Sequence, residues 1–297
     1  MHITARQLRL FLAVAESRSV TAAARALHIT QPTASAQLRE MTLAVGMPLY
    51  ELIARRVRLT EAGEELARTA RSISDEWNSF SERIDGLKGL TRGRLRVAVV
   101  STAEYFIPRL LGSFCTTHPG IDITLEVQNR DGVVARLGEH RDDLYIMSTP
   151  PAHVDLEATA FMPNPLVVIA ATGHPLARRR QLVLQDLIAQ PFILREKGSG
   201  TRMSIEKHFR KYRFKPEIRM ELGTNEAIRG VVAGGLGLSV LSRHALRGAA
   251  EETGVIELKV SGFPVQSQWY VVRARGRPLS PVAAIFREHL LAQSGHW

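Results

Sequence analysis

The stretch VTAAARALHITQPTASAQLRE, residues 20–40, decides how the first part of this 297-residue chain folds. It contains a short run rich in alanine, a polar break at residues 28–30, and a second run that opens on Gln31 and Pro32. Thr30 suits the N-cap of the second run, and proline is tolerated in a first turn because its missing N–H would have no intrahelical partner there. Two helices joined in this way predict a helix-turn-helix, which places its second helix in the major groove of DNA.

The second of these helices is predicted to have an apolar stripe and, opposite to it, a face of small and polar residues. The stripe consists of Ala34, Leu38, Met41 and Val45. Glutamine can pair with adenine through two hydrogen bonds, so we expect Gln31, Thr33 and Gln37 to read base edges, with Ser35 near a phosphate. Thr33 and Ser35 could alternatively be surface residues that a helix merely tolerates. The predicted DNA contacts of this helix are Thr30, Gln31, Pro32, Thr33, Ser35 and Gln37.

A cluster of arginines follows the helix-turn-helix directly. Residues 49–53 and 56–59 predict a two-stranded wing, with Arg55, Arg56 and Arg58 on it or beside it. Phosphate contacts by these side chains would make DNA binding fall steeply with salt. The first sixty residues contain eight arginines and no lysine against three glutamates, a net charge of +5 in a chain whose formal charge is +10. A basic chain favours polyanions, although a basic surface can also be simply solvated.

A long helix is predicted after the wing. Thr60 is its expected cap, and Glu61, Glu64 and Glu65 lie in its first turns, where the helix dipole favours acids. Apolar residues then recur at alternating steps of four and three, which is a heptad seam. The seam consists of Leu66, Ala70, Ile73, Trp77, Phe80, Ile84 and Leu87. Pairing with a second copy would give a dimer that matches two DNA half-sites, and packing onto the chain's own domain is the alternative.

From residue 94 onward, the pattern changes to alternating strands and helices. The predicted strands are residues 95–100, 122–127, 144–147, 165–171, 191–194, 218–222, 238–241 and 268–273, and the first predicted helix spans residues 105–115. Two such runs predict an α/β fold with two small lobes and parallel-rich sheets. We place lobe I at about residues 93–164 and 270–297, and lobe II at about residues 165–269. Ligands in such folds bind beyond the carboxyl ends of the strands, in the cleft between lobes.

Polar residues stand where the predicted strands of these lobes end and where helices begin. Ser101 and Thr102 follow one strand, and Ser148 and Thr149 follow another. In lobe II, the run EKGSGTR at residues 196–202 opens a helix. Hydroxyls, free backbone N–H groups and an arginine at helix N-termini form anion sites. Each of these residues alone could be only a helix cap, but their convergence predicts a small carboxylate or phosphate effector. The predicted contacts are Ser101, Thr102, Ser148, Thr149, Ser199, Gly200, Thr201, Arg202, Thr224 and Asn225.

Several other classes of protein are disfavoured by composition and motifs. A single cysteine, Cys115, excludes an intrachain disulfide and fits a reducing compartment. The N-terminus has no signal-peptide pattern and no run approaches the length of a membrane span, so we expect a cytoplasmic protein. The ten histidines show no metal-ligand spacing and no nucleophile elbow is present, so we expect neither an enzyme nor a resident metal or cofactor. A solute-binding module without a DNA role remains the alternative, with an enzyme built on the two lobes more distant.

With these motifs assembled, the chain resembles the LysR-type transcriptional regulators over its whole length. The match rests on Leu8-x-x-Phe11, the alanine-rich second helix, Gln31 and Pro32, Leu49 and Tyr50, and VRLTEAG at residues 57–63. The resemblance implies a winged helix-turn-helix over residues 1–59, a dimerising linker and hinge over 60–92, and an effector domain over 93–297 built like a periplasmic binding protein. It implies as partners double-stranded promoter DNA, a small effector, RNA polymerase and further copies of the chain, as a dimer or tetramer.

Within this family, three segments resemble the regulators of RuBisCO (Calvin-cycle) operons. They are residues 100–121, Asn129 with Arg130, and RDDLYIM at residues 141–147. This resemblance implies a phosphorylated metabolite as effector and adds Asn129 to the predicted contacts. A regulator of an unrelated operon is the alternative. One departure from the family is Leu52, which stands where an arginine is usual, so the wing would lack one phosphate contact.

Overall fold

The structure is a computed structural model that describes residues 2–53, 56–87, 92–246 and 253–293. The chain divides into two compact units, residues 1–90 with 139–141 and residues 91–138 with 142–297. Among the described residues, no helix is long and apolar enough to cross a membrane.

The first unit contains three short helices, a two-stranded hairpin and one long helix. These elements confirm the predicted helix-turn-helix, wing and connecting helix. In chain order they are α1 (Ala5–Ser17), α2 (Val20–Ala26), α3 (Gln31–Val45), β1 (Tyr50–Ile53), β2 (Arg56–Leu59) and α4 (Glu61–Leu87).

Each of the first three helices begins at a hydroxyl side chain. Thr4 accepts a hydrogen bond from a backbone N–H of α1, Ser19 from one of α2, and Thr30 from that of Thr33 in α3. These caps satisfy donors that have no intrahelical partner, and they set the helix boundaries. The seven-residue α2 is too short to be stable alone, and its buried Ala23 and Ala24 let the other helices approach it closely.

The start of α4 is tied to the residue that precedes the wing. The Thr60 backbone N–H donates to the Leu49 carbonyl oxygen at 3.2 Å, and the Thr60 hydroxyl donates to the Pro48 carbonyl oxygen at 2.6 Å. The same hydroxyl accepts from the Gly63 N–H at 3.1 Å. A Cβ at residue 63 would overlap the Leu49 carbonyl oxygen, so this approach requires glycine. The run RLTEAG therefore anchors the wing to α4.

The second unit has two lobes, each built on a mixed sheet. Lobe I contains β3 (Gly93–Val100), α5 (Ile107–Thr117), β4 (Ile121–Gln128), α6 (Arg130–Gly138), β5 (Leu144–Met147), β6 (Leu156–Pro163), β12 (Gln268–Ala274) and α9 (Pro281–Ala292). Lobe II contains β7 (Leu166–Ala171), β8 (Pro191–Arg195), α7 (Gly200–Lys211), β9 (Glu217–Leu222), α8 (Asn225–Ala233), β10 (Ser239–Ser242) and β11 (Val255–Glu257). The chain passes between the lobes near Asn164 and Ser267, whose backbones are hydrogen bonded at 2.9 Å.

The predicted two-lobed α/β architecture is confirmed, but the sheets are less parallel than expected. The sheet of lobe I has the order β4-β3-β5-β12-β6, and β12 runs antiparallel to both of its neighbours. In lobe II, β8 and β9 are parallel, whereas β10 and β11 flank β7 in antiparallel orientation. The strands β6 and β11 were not predicted. The antiparallel strands come from segments that are distant in the sequence. The periodicity within each segment does not predict which strands will pair.

One predicted helix has different bounds. A single helix was expected over residues 105–115, but the chain forms a 3-10 turn at Ser101–Tyr105 and then α5 at Ile107–Thr117. Pro108 lies in the first turn of α5, where its fixed φ suits a helix start. The turn places Ser101 and Thr102 directly beyond the carboxyl end of β3.

We expect Gly63→Ala to destabilise the first unit by about 1–3 kcal/mol, because the added methyl group can be accommodated only by moving the Leu49 carbonyl away from Thr60. Urea unfolding of the full chain, followed by circular dichroism, measures the change in stability. Gly112→Ala in α5 is the control, since no described atom outside the nearby backbone of its own helix lies within 4 Å of its Cβ position, and alanine there should be neutral or slightly stabilising. Equal stability of the Gly63→Ala variant and the wild type would contradict the required approach.

Candidate effector cleft and DNA-reading surface

A buried arginine lies where lobes I and II meet. Arg195 ends β8 and is 2% exposed. Its guanidinium donates to the hydroxyls of Ser101 at 3.0 Å and Thr102 at 3.4 Å in lobe I. It also donates to Asn225 Oδ1 at 2.8 Å and to the Gly223 carbonyl oxygen at 3.2 Å in lobe II. One positive charge therefore holds residues of both lobes together.

The charge of Arg195 is compensated by its chain neighbour. The Glu196 carboxylate accepts from Arg195 Nε at 2.8 Å and from a terminal guanidinium nitrogen at 3.0 Å. A buried charge is tolerated only when it is paired and hydrogen bonded, and this pair meets that condition. An incoming anion would share the guanidinium with Glu196.

Two further carboxylates, Glu104 and Glu226, lie where the two lobes meet. Burial and the nearby negative charge of Glu226 raise the pKa of Glu104, and Arg195 partly offsets the rise. The Tyr105 hydroxyl in lobe I donates to the Glu226 carboxylate in lobe II. Burial is the main cause that raises the pKa of Tyr105, and this hydrogen bond raises it further. The negative charge of these carboxylates would oppose the approach of a highly charged anion.

The hydroxyls around Arg195 retain their own protons. Ser101 and Thr102 both accept from Arg195, and Thr102 also accepts from Asn225 Nδ2 at 3.3 Å. A hydroxyl that accepts can still donate its single proton. These side chains can thus donate to an anion while keeping their bonds to the arginine.

A second group of predicted residues meets at the beginning of α7. A Cβ at Gly200 would lie 3.4 Å from both the Ser148 Oγ and the Thr149 Oγ1 atoms, so the helix start lies directly against the end of β5. The buried Arg130 donates from Nε to the Thr149 carbonyl oxygen at 2.7 Å and from a terminal nitrogen to Asp131 at 3.2 Å. The first backbone N–H groups of α7 have no intrahelical acceptor, so they are suited to an anion.

Other predicted contact residues have structural hydrogen bonds within the chain. Ser199 caps α7, Thr224 caps α8, and Asn129 Oδ1 accepts from the Gly132 N–H at 3.0 Å. Thr201 lies buried in the first turn of α7. Their contacts with an effector stay predictions.

Arg202 makes its hydrogen bonds at the other side of the α7 start. Its guanidinium donates to the Arg195 carbonyl oxygen at 2.9 Å and to Glu206 at 2.6 Å, and it lies 3.5 Å from a Glu221 oxygen. It therefore ties the end of β8 to α7 and to the neighbouring strand β9.

Sequence reasoning missed the two arginines around which the predicted residues gather. Arg195 follows the apolar run PFIL, and a polar residue at the carboxyl end of a buried strand is the signal that selected Ser101 and Ser148. The predicted strand ends at Leu194, one residue before this arginine. Arg130 enters the prediction only through the family resemblance. The same rule applied to every strand end selects Arg195.

The start of α3 is exposed, as a reading helix requires. Gln31, Pro32 and Thr33 are exposed, and the hydroxyls of Thr30 and Thr33 lie 2.8 Å apart. Ser35 is half-buried. The placement of these residues is compatible with a groove contact.

Gln37 departs from the expected outward face. It is half-buried, and its Oε1 atom is buried with no hydrogen-bond partner among the described residues. In this side-chain position the Oε1 atom of Gln37 is therefore not exposed for a groove contact. Base reading by Gln37 would need the side chain to rotate.

The wing exposes cations beside an apolar residue. Arg56 and Arg58 of β2 are exposed, and Arg58 is in register with Glu51 of β1. Arg55 lies outside the described residues. Leu52, which stands where the resemblance implies an arginine, is 66% exposed.

The apolar seam of α4 is uncovered in its middle. Ile73, Trp77 and Phe80 are 50%, 70% and 47% exposed, and the rings of Trp77 and Phe80 lie 5.7 Å apart. Ala70 is buried, Leu66 and Ile84 are half-buried, and the side chain of Leu87 lies outside the described residues. Three large apolar side chains in succession on one exposed helix mark an interaction surface.

Comparisons with known proteins agree with these two assemblies. Residues 5–64 match the family described as bacterial regulatory helix-turn-helix protein, lysR family, and residues 88–295 match the LysR substrate binding domain. A RuBisCO operon transcriptional regulator of Acidithiobacillus ferrooxidans is 44% identical over 293 residues, covering 99% of this chain and 95% of the relative. The HTH-type transcriptional activator CmpR of Synechocystis sp. is 42% identical, covering 97% and 95%.

Solved structures show the same architecture. The regulatory domain of Synechocystis CcmR, solved in complex with 2-PG, is 43% identical with a TM-score of 0.67, covering 69% of this chain and 99% of that one. The LysR family regulator CbnR shares the fold over 98% of this chain and 99% of its own, with a TM-score of 0.68 at 24% identity. The family and these relatives are regulators of transcription rather than enzymes. The chain therefore belongs to the LysR family of bacterial helix-turn-helix transcriptional regulators.

Proposed function

We propose that this regulator binds a small anionic effector between lobes I and II and thereby controls an operon of carbon fixation. The observation that carries the effector proposal is the buried Arg195, which bonds to Ser101 and Thr102 in one lobe and to Asn225 in the other. The operon proposal is supported by the names of the RuBisCO operon regulator and of other relatives similar over the full chain. The CcmR regulatory domain, which binds 2-PG, supports a phosphorylated metabolite or carboxylate.

The same contacts suggest how an effector acts. Without an anion, Arg195 distributes its donors between the two lobes and Glu196. An anion seated at the α7 N-terminus competes for those donors and adds bonds from Ser101, Thr102 and the backbone. A ligand shifts a conformational equilibrium only by its differential affinity for the two states. A set of hydrogen bonds shared between the lobes supplies such a difference, because it exists in full only at one lobe spacing.

The remaining proposed roles fall on the first unit and rest on its sequence pattern. We assign base reading to Gln31, Thr33 and Gln37, and phosphate contacts to Ser35 and to Arg55, Arg56 and Arg58. The exposed side chains of α4 pair with a second copy, so that two reading helices meet two half-sites. We place the domain bounds at 1–59, 60–92 and 93–297. We also propose that the assembled regulator contacts RNA polymerase at the promoter.

We expect Ser101→Ala and Thr201→Val each to weaken effector binding by about 10- to 100-fold while promoter binding without effector is unchanged. A hydrogen bond to a charged group contributes about 1.5–3 kcal/mol. Calorimetric titration of the full chain with 2-PG and with sugar phosphates measures the affinity. Ser113→Ala on α5 is the matched control, because that hydroxyl bonds to His289 rather than to a cleft residue. An unchanged effector affinity in both variants would contradict the assignment of these residues to the cleft.

We expect Glu104→Gln to raise the affinity for an anionic effector about three- to tenfold. The substitution removes a negative charge that lies close enough to interact with Arg195, and it leaves the shape of the side chain nearly unchanged. The same titration provides the readout, with Glu288→Gln on α9 as a control for the change in net charge. A weaker affinity in Glu104→Gln would show that this carboxylate helps to hold the ligand.

We expect Gln31→Ala to reduce discrimination between operator and random DNA by about 10- to 100-fold, since a two-bond base contact is worth roughly 1–3 kcal/mol. Arg56→Ala should weaken binding to all sequences and reduce the salt slope by about 1. Fluorescence anisotropy with operator and random duplexes separates the two effects. Equal weakening on both duplexes for Gln31→Ala would argue against base reading.

A further inference from the structure

The chain carries a second concentration of positive charge, in lobe II. The run KHFRKYRFKPEIR at residues 207–219 has six lysines and arginines against one glutamate, a net charge of +5. This equals the net charge of the first sixty residues, where DNA is read. Clustered cations of this density are the electrostatic footprint of a polyanion-binding surface.

This cluster lies at the end of lobe II away from the effector cleft. α7 begins beyond the carboxyl end of β8, near Arg195, and runs back along the strand. Its last turn and the following residues pack on the start of β8, since the rings of Phe209 and Phe214 lie 5.8 and 5.9 Å from that of Phe192. The cations therefore take no part in the cleft.

The cations are exposed and unneutralised. Lys207, Arg210, Lys211, Arg213 and Lys215 are all exposed, and none has a carboxylate partner among the described residues. Other arginines of this unit do have such partners: Arg243 pairs with Glu257 at 2.8 Å, Arg275 with Asp155 at 3.5 Å and Arg287 with Glu288 at 2.9 Å.

The fold itself gains little from this arrangement. Lys207 and Lys211 stand one turn apart on the same face of α7, and like charges at this spacing destabilise a helix by a few tenths of a kcal/mol. The helix dipole favours cations in the last turn, which accounts for Arg210 and Lys211. It does not account for Arg213 and Lys215, which follow the helix. We define these five side chains as the α7 basic surface.

Neighbouring loops extend the α7 basic surface. The Cβ position of Gly262 lies 3.5 Å from the ring of Tyr212, which brings the loop that carries the exposed Lys259 against the end of α7. Tyr212 is half-exposed beside the Lys211 ammonium group, which lies 5.6 Å from the ring centre. A phenol hydroxyl among cations can donate to phosphate oxygens, as tyrosine does on DNA backbones.

We propose that the α7 basic surface binds the phosphate backbone of promoter DNA outside the segment that the helix-turn-helix reads. The proposal rests on the proposed promoter-binding function and adds a contact from the effector domain. Duplex DNA is favoured over an acidic protein because the helix face between Lys207 and Lys211 is charged, whereas the centre of a protein interface is depleted of charge. DNA carries one negative charge per roughly 1.7 Å of axis, which suits five cations in nine residues.

The test compares the full-length protein with a Lys207→Gln, Arg210→Gln, Lys211→Gln variant on two operator duplexes. The short duplex spans only the half-sites, and the long duplex extends beyond them on both sides. The dissociation constant is measured by anisotropy at increasing salt. On the long duplex, the slope of log Kd against log salt should fall by roughly 0.9 for each phosphate that the variant no longer neutralises, thus by up to about 3 per chain. On the short duplex it should not change.

A second triple variant controls for net charge. Arg243→Gln, Arg275→Gln and Arg287→Gln remove the same charge from sites paired with carboxylates, and their slope should equal that of the wild type on both duplexes. Thermal unfolding confirms that both triple variants fold.

Each other outcome has its own meaning. An unchanged slope for the α7 variant on the long duplex overturns the proposal, as does an equal fall on the short one. If that variant keeps its slopes but fails to activate purified RNA polymerase in vitro, the surface serves an acidic protein and the DNA proposal is wrong. Failure of the wild type to bind the short duplex specifically would instead refute the promoter-binding function.

Discussion

The buried charge of Arg195 is the constraint on which the effector domain depends. A guanidinium that is 2% exposed must have partners, and it finds them in Ser101 and Thr102 of one lobe and in Asn225 of the other. The lobes therefore cannot separate without stripping hydrogen bonds from a buried cation. An anion that offers replacement bonds changes that cost, which links the chemistry of the ligand to the spacing of the lobes.

The reader domain depends instead on close backbone approach. α4 is anchored because Thr60 bonds to the carbonyls of Pro48 and Leu49 and because Gly63 leaves room for the second of these. Ala23 and Ala24 play the equivalent part inside the helix-turn-helix. Small residues at these points allow the close backbone approach that holds α3 and the wing in place.

Two exposed surfaces of the described chain have no partner within its own fold, and they differ in chemistry. The exposed seam of Ile73, Trp77 and Phe80 is apolar and suits a second copy of the helix. The α7 basic surface is charged and without carboxylate partners among the described residues, so it suits a polyanion. A regulator assembled from several copies on DNA would supply both kinds of partner at high local concentration.

The sequence by itself determined the elements that local signals specify: the caps at Thr30 and Thr60, the wing, the heptad seam and the polar strand ends. Capping, periodicity and turn chemistry act over a few residues, so they can be recognised in the sequence without knowledge of the fold. Only the tertiary structure decided that Arg195 gathers Ser101, Thr102 and Asn225, that the Oε1 atom of Gln37 is buried, and that β12 enters the lobe I sheet antiparallel. Most of these features arise from contacts between segments far apart in the chain, as between Thr102 and Asn225, which are 123 residues apart. The free energy of each such contact depends on which segments come together in the fold, and no local sequence pattern specifies this.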